Sequence, residues 1–141
     1  MKHILKLAAY TFGFLVLLAG AYIYSAVNQR RKFIEESVGI LSMVNAAEDV
    51  AKLEPEFHPE FIWVRKFKDG SWAAARALDE EETDYGFTAA LIYTGGGKFW
   101  LSSHGFCGFE GVEGELGAIK AESAAEFVAG AEAGLGFERY R

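Results

Sequence analysis

Leu7 to Val27, LAAYTFGFLVLLAGAYIYSAV, carries no charge and almost no strong polar group. As a helix its 21 positions extend about 31 Å at about 1.5 Å per residue, the thickness of a bilayer's hydrocarbon core. The stretch reads as a single membrane span of the signal-anchor type behind a basic tail, residues 1–6. Every other part of the chain inherits its address from this segment.

A cleaved signal peptide competes with that reading. Lys2 and Lys6 form a basic leader, and Ala19-Gly20-Ala21 has the small-x-small form of a cleavage site. The apolar run continues past Ala21 through Tyr22, Ile23 and Tyr24, and this length favours an uncleaved anchor. Tyr10, Tyr22 and Tyr24 suit the two interfacial belts. The expected membrane-interface cations are Lys2 and Lys6 before the span and Arg30, Arg31 and Lys32 after it. They nearly balance, but a short lysine-bearing tail is hard to translocate. The expectation is therefore a cytoplasmic amino terminus in a bacterial inner membrane, with the carboxy-terminal domain outside the cytoplasm.

Residues 33–141 hold 9 Lys plus Arg against 20 Asp plus Glu, a formal charge of 9 − 20 = −11. Such a domain repels nucleic-acid phosphates, so no DNA or RNA partner is expected, and Arg30, Arg31 and Lys32 are left to meet lipid headgroups. With Cys107 as the only cysteine, neither an internal disulfide nor a cysteine-rich zinc module can form. About 110 residues beyond the span suffice for one domain.

The expected fold class is α+β. In residues 28–56 Ile34, Val38, Leu41, Val44, Ala47 and Ala51 recur at helical spacing, so the membrane helix should continue into a juxtamembrane amphipathic helix that stops at Pro55 and Pro59. Residues 57–141 then read as a small acidic antiparallel sheet, a meander of four or five strands with a short C-terminal helix. Phe61–Phe67, the turn Lys68-Asp69-Gly70-Ser71 and Trp72–Leu78 form one hairpin. Phe87–Thr94, Gly95-Gly96-Gly97 and Lys98–Ser103 form a second. Ala73, Ala75 and Ala77 share a low face on which the 34–51 stripe is expected to lie. Val112–Leu116 alternates apolar or small residues with acidic ones, as an exposed fifth strand would. Ser123–Glu126 has the form of a capping box, opening a helix through Phe127, Val128 and Ala131 that Gly134 can end. The tail Leu135–Arg141 is too short to classify, although Phe137 and Tyr140 could tuck back onto the core.

Chemical signals are few. His104 and Cys107 lie within one loop, and an imidazole beside a thiol is the pairing nucleophilic catalysis needs. Adjacency in sequence is not that geometry, and no third orienting residue is evident. The acidic run Asp79, Glu80, Glu81, Glu82 and Asp84 lacks the alternating ligands and turn glycine of a calcium loop. Gly95–Lys98 lacks the spacing of a phosphate loop and joins two strands. His58 and His104 have no acidic or thiolate companion at metal-site spacing. No metal or cofactor is expected. Aromatic residues number 21 of 141, and Phe106 and Phe109 stand beside glycines, where they either anchor a partner or close the loop over the sheet.

A long amino-terminal helix, half in the membrane, followed by an antiparallel sheet resembles the architecture of type IV pilins and pseudopilins. The resemblance implies a pilin-like subunit, but it stops at architecture: after Gly13-Phe14 the fifth position holds Leu18 where those proteins carry glutamate. The expected function is a non-enzymatic, membrane-anchored interaction module, either an accessory subunit of a membrane complex or a periplasmic inhibitor or immunity-type protein. Its other ligand besides the lipid bilayer would be a membrane or periplasmic protein. Phe106, Phe109 and Asp79, Glu80, Glu81, Glu82 and Asp84 are the expected contact residues. The alternative is a small membrane-tethered enzyme or ligand-binding domain using His104–Phe109.

Overall fold

The computed structural model describes residues 2–52, 62–78, 88–102 and 104–140. It opens with one uninterrupted helix, α1, Lys2–Ser42, of 41 residues, about 61 Å long. Its two parts live differently. From His3 to Ser25 every described side chain is exposed, with large apolar groups from Leu18 at 51% to Tyr10 at 76%. Farther on, Ile34, Ser37 and Leu41 are buried against the sheet. Among the described residues, this is the one helix long and apolar enough to cross a membrane.

The helix stops at Ser42, well before Pro55 and Pro59, which lie outside the described residues. Local hydrogen bonds replace the helical ladder there. Ser42 Oγ donates to the Gly39 carbonyl at 2.7 Å, and the Asp49 carboxylate accepts from the backbone N–H groups of Asn45 and Ala46 at 2.9 and 2.8 Å. Such short polar side chains offer the backbone an alternative to the helix. Val44 is still buried although it lies past the helix end, and a short 3-10 turn, Ala47–Lys52, follows.

Five antiparallel strands form an open sheet in meander order: β1 Ile62–Lys66, β2 Trp72–Leu78, β3 Ala89–Tyr93, β4 Phe99–Ser102 and β5 Phe137–Tyr140. Both expected hairpins are present with Ile62↔Arg76 and Ile92↔Trp100 in register. Gly95, Gly96 and Gly97 all have positive φ, at 87°, 60° and 70°. That run of left-handed conformations is one glycine tolerates and other residues resist, which explains a triple glycine between two strands.

The alternating segment Val112–Leu116 is not a strand. It lies within helix α2, Gly108–Ala118. Spacings of four put Val112 and Leu116 on one side of either a strand or a helix. Phe109 breaks the tie, because it packs on the same core as both, and residues three apart share a side only in a helix. The fifth strand is instead β5.

Helix α3, Ala124–Leu135, begins with one half of the expected capping box: Ser123 Oγ accepts from the Glu126 N–H at 3.2 Å, while the Glu126 carboxylate accepts from the N–H of Glu122, one residue before the cap, at 2.9 Å. It ends at Gly136 rather than Gly134. Gly136 is left-handed at φ 63° and its N–H bonds the Ala131 carbonyl.

Helices cover both sides of the sheet. Leu41 and Val44 pack with Ala74, Leu91, Tyr93 and Phe99, while Ile34 packs with Leu78 and Ala89. So α1 lies on the face opposite Ala73, Ala75 and Ala77, not on the alanine face. That low face receives α2 and α3. The space above the alanines is filled by the fully buried Phe127, whose ring stacks on Trp63 at 5.3 Å and tilts against Phe67 at 5.6 Å. Small side chains do admit a close helix, but the helix is the one bearing a large ring.

Candidate functional site

The loop after β4 holds the main chemical candidates, and the fold separates them. Phe106 is only 8% exposed, joins the core beneath α2 and α3, and has its ring 6.2 Å from that of Phe137. Its backbone exchanges two hydrogen bonds with Thr88, at 2.8 and 3.2 Å. It closes the loop onto the sheet and is no surface anchor. Phe109 is half-buried against the same core, at the first turn of α2.

His104 is exposed and turned toward the end of α3, where its Nδ1 lies 3.3 Å from the Leu135 carbonyl, a distance suited to Nδ1–H donating. Its ring lies directly against Gly136: a Cβ on that glycine would overlap Nδ1. Cys107 is exposed at the N-cap position of α2, where it makes no capping bond. Among the described residues no hydrogen bond joins imidazole and thiol, and no group of three or more His, Cys, Asp and Glu is arranged to hold a metal ion. His58 lies outside the described residues, as do Asp79, Glu80, Glu81, Glu82 and Asp84. The flanking residues Leu78 and Thr88 are buried at the end of the sheet nearest the exposed half of α1, since Leu78 packs on Ile34.

The basic cluster after the apolar run lies on α1 itself. Arg31 reaches Asn28 Oδ1 at 3.2 Å and Glu35 at 3.7 Å, one turn away on either side, and Lys32 is exposed. Lys6 is exposed near the other end. Apart from these exposed cations, Arg76 is buried at mid-strand between the sheet and α1. It donates to Ser37 Oγ at 3.1 Å, and its guanidinium lies 5.3 Å from the centre of the Phe33 ring. Ser37 in turn donates to the Phe33 carbonyl at 2.9 Å. A charge held this way needs the helix in place, because its aromatic and hydroxyl partners both come from α1.

Two concavities flank the α2–α3 layer. One, of about 250 Å³, opens between the β1–β2 hairpin and α2, with Trp63, Ala75, Ala77, Phe109 and Val112 as its apolar wall and Glu113 at its rim. The other is an open groove of about 420 Å³ between α3 and the β4–β5 side of the sheet. Trp100 floors it and donates its indole N–H to Glu132 at 2.9 Å. Lys98 and Arg139 line it, with Arg139 directly opposite Trp100 in the β4–β5 register. Sequence reasoning did not find this groove. Its residues are spread from Thr94 to Arg139, and no motif links them before β5 pairs with β4.

Comparison of the chain with protein-family models, with curated proteins and with solved structures finds no match.

Proposed function

We propose that this protein is a single-pass, membrane-anchored, non-enzymatic interaction module whose acidic domain is carried at the membrane surface. The continuity of α1 carries the reading: one unbroken helix exposes its apolar first half and docks its second half on the sheet. An exposed apolar surface of that extent is not tolerated in water and calls for lipid around it. From Val27 to Ile34 is seven residues, about 10 Å of helix. The domain therefore rides at headgroup level, with Arg30, Arg31 and Lys32 facing anionic lipid. The amino terminus is assigned to the cytoplasm of a bacterial cell, and the domain to the outer side of the inner membrane. The role is that of an accessory subunit or an inhibitor-type protein that binds a membrane or periplasmic partner.

The competing reading, a membrane-tethered enzyme built on His104 and Cys107, has less support, because His104 is directed to the end of α3 and Phe106 belongs to the core. Alkaline carbonate washing tests the anchor. The protein is expected to stay in the membrane fraction, and release with a new amino terminus at Tyr22 would establish a cleaved signal peptide instead. Protease added to spheroplasts should digest the domain; protection until lysis would reverse the topology.

A further inference from the structure

The sheet has two edges, and they are not equivalent. β1 is flanked by the 3-10 turn Ala47–Lys52, whose Glu48 forms an ion pair with Lys66. β5 pairs with β4 alone, and among the described residues no strand lies outside it. An edge strand of this kind presents alternate N–H and C=O groups to any extended chain that approaches.

A second copy of β5 is a poor occupant. Directly opposed residues must share a face, so extensive antiparallel pairing of Phe137-Glu138-Arg139-Tyr140 with itself sets Glu138 against Glu138 or Arg139 against Arg139. Like charges in that relation oppose pairing.

The groove beside this edge indicates what is accepted instead. Lys66 and Lys68 are ion-paired with Glu48 and Glu122, Arg65 donates to the Ile119 carbonyl at 2.7 Å, and Arg76 is buried under α1. Lys98 and Arg139 make no ion pair among the described residues, and they line the same groove. The one carboxylate there, Glu132, already accepts from Trp100. In a domain of formal charge −11, this is a local cationic site with an aromatic floor and a wall of Ala125, Val128 and Ala129. Because the groove is open, it does not enclose a small molecule as ligand pockets do. An extended chain would draw its hold from the backbone of β5 and send alternate side chains over the groove.

We infer that β5 captures an extended acidic segment of another protein by strand addition, with its alternate acidic side chains placed against Arg139 and Lys98. This rests on the interaction-module reading and specifies the partner's chemistry. Across from Arg139 the added strand carries a carboxylate; on the opposite face, beside Glu138 and Tyr140, it carries uncharged residues.

The probe is a capped, dye-labelled peptide alternating glutamate with valine, titrated by fluorescence anisotropy against the full chain in mild detergent. Binding is expected, weakening as salt rises. Arg139→Glu should lower affinity about tenfold, since an attractive cross-strand pair becomes a repulsive one. Lys98→Gln, a change in an exposed turn, should lower it about twofold to threefold. Methylating the peptide nitrogens that face β5 should abolish binding. The proposal is overturned if a lysine–valine peptide binds equally well, if folded Arg139→Glu and Lys98→Gln proteins bind like the parent, or if the methylated peptide binds unchanged while free acetate competes. Chemical crosslinking of the full chain in native membranes separates the two readings. A crosslinked protein partner that survives Arg139→Glu, with no peptide binding, overturns strand addition and leaves the interaction module standing. Absence of both removes the module as well.

Discussion

Gly136→Ala and His104→Ala form a double-mutant cycle that tests whether the imidazole belongs to the end of α3. Gly136 sits at φ 63°, and an added Cβ would overlap His104 Nδ1. Two separable costs follow. Alanine in a left-handed conformation costs about 1–2 kcal/mol relative to glycine. The ring must also swing away, giving up its bond to the Leu135 carbonyl, worth about 0.5–1.5 kcal/mol. Because His104 is exposed, it can move into solvent without disturbing the core, so the steric cost stops there. Gly136→Ala alone should therefore destabilise by about 2–3 kcal/mol, and by only about 1–2 kcal/mol in the His104→Ala background. The coupling is about 1 kcal/mol. Urea unfolding of the full chain in mild detergent, followed by tryptophan fluorescence with m-values compared, measures all four corners. A coupling below about 0.3 kcal/mol, the usual scatter for independent sites, would refute the contact and free His104 for another role.

Gly114 is exposed within α2, and the space a Cβ would take there is open, with no neighbour within 4 Å. Gly114→Ala should therefore stabilise the domain by about 0.5–1 kcal/mol; destabilisation would argue that the segment is not helical. Phe127→Ala should cost about 3–5 kcal/mol in the same unfolding assay, because the ring is fully buried between Trp63 and Phe67, and a loss under about 1 kcal/mol would show that the alanine face is not packed as described. The Ser71 hydroxyl, followed by its backbone N–H, holds the Asp69 carboxyl below the usual aspartate range. Its contribution to stability is therefore present above the unfolded-state pKa and lost as pH falls through the lowered folded value. Ser71→Ala removes the hydroxyl but keeps the backbone N–H, so it should raise the Asp69 titration, followed by carboxyl NMR, part of the way toward the ordinary range, and should also weaken the start of α3, where Ser71 Oγ accepts from the Ala124 N–H at 2.8 Å; an unchanged titration would refute the assignment.

Some of this architecture is decided within short stretches of chain. Leu7–Val27 is apolar on all sides, so no neighbour is needed to make it a helix that seeks a nonpolar medium. The two hairpins announce themselves because strand alternation and turn chemistry are local: Asp69-Gly70 and the triple glycine impose their turns wherever the strands go. The cap at Ser123 is local in the same way.

Tertiary structure decided what two periodicities or two faces left open. Val112 and Leu116 satisfy strand and helix alike, and only the packing of Phe109 beside them selects α2. β2 is buried both on its face of Ala73, Ala75 and Ala77 and on its face of Ala74, Arg76 and Leu78, so its sequence does not say which helix lies on which; the volume of Phe127 against Trp63 and Phe67, and the demand of Arg76 for Phe33 and Ser37, settle it. Phe106 looks the same in sequence whether it anchors a partner or closes a loop, and its pairing with Thr88 is long-range. The β5 edge and its groove exist only after the last strand pairs with β4 and brings Arg139 across from Trp100. Backbone period is a property of neighbours along the chain, whereas the meeting of faces depends on side-chain volume and register between segments far apart in it.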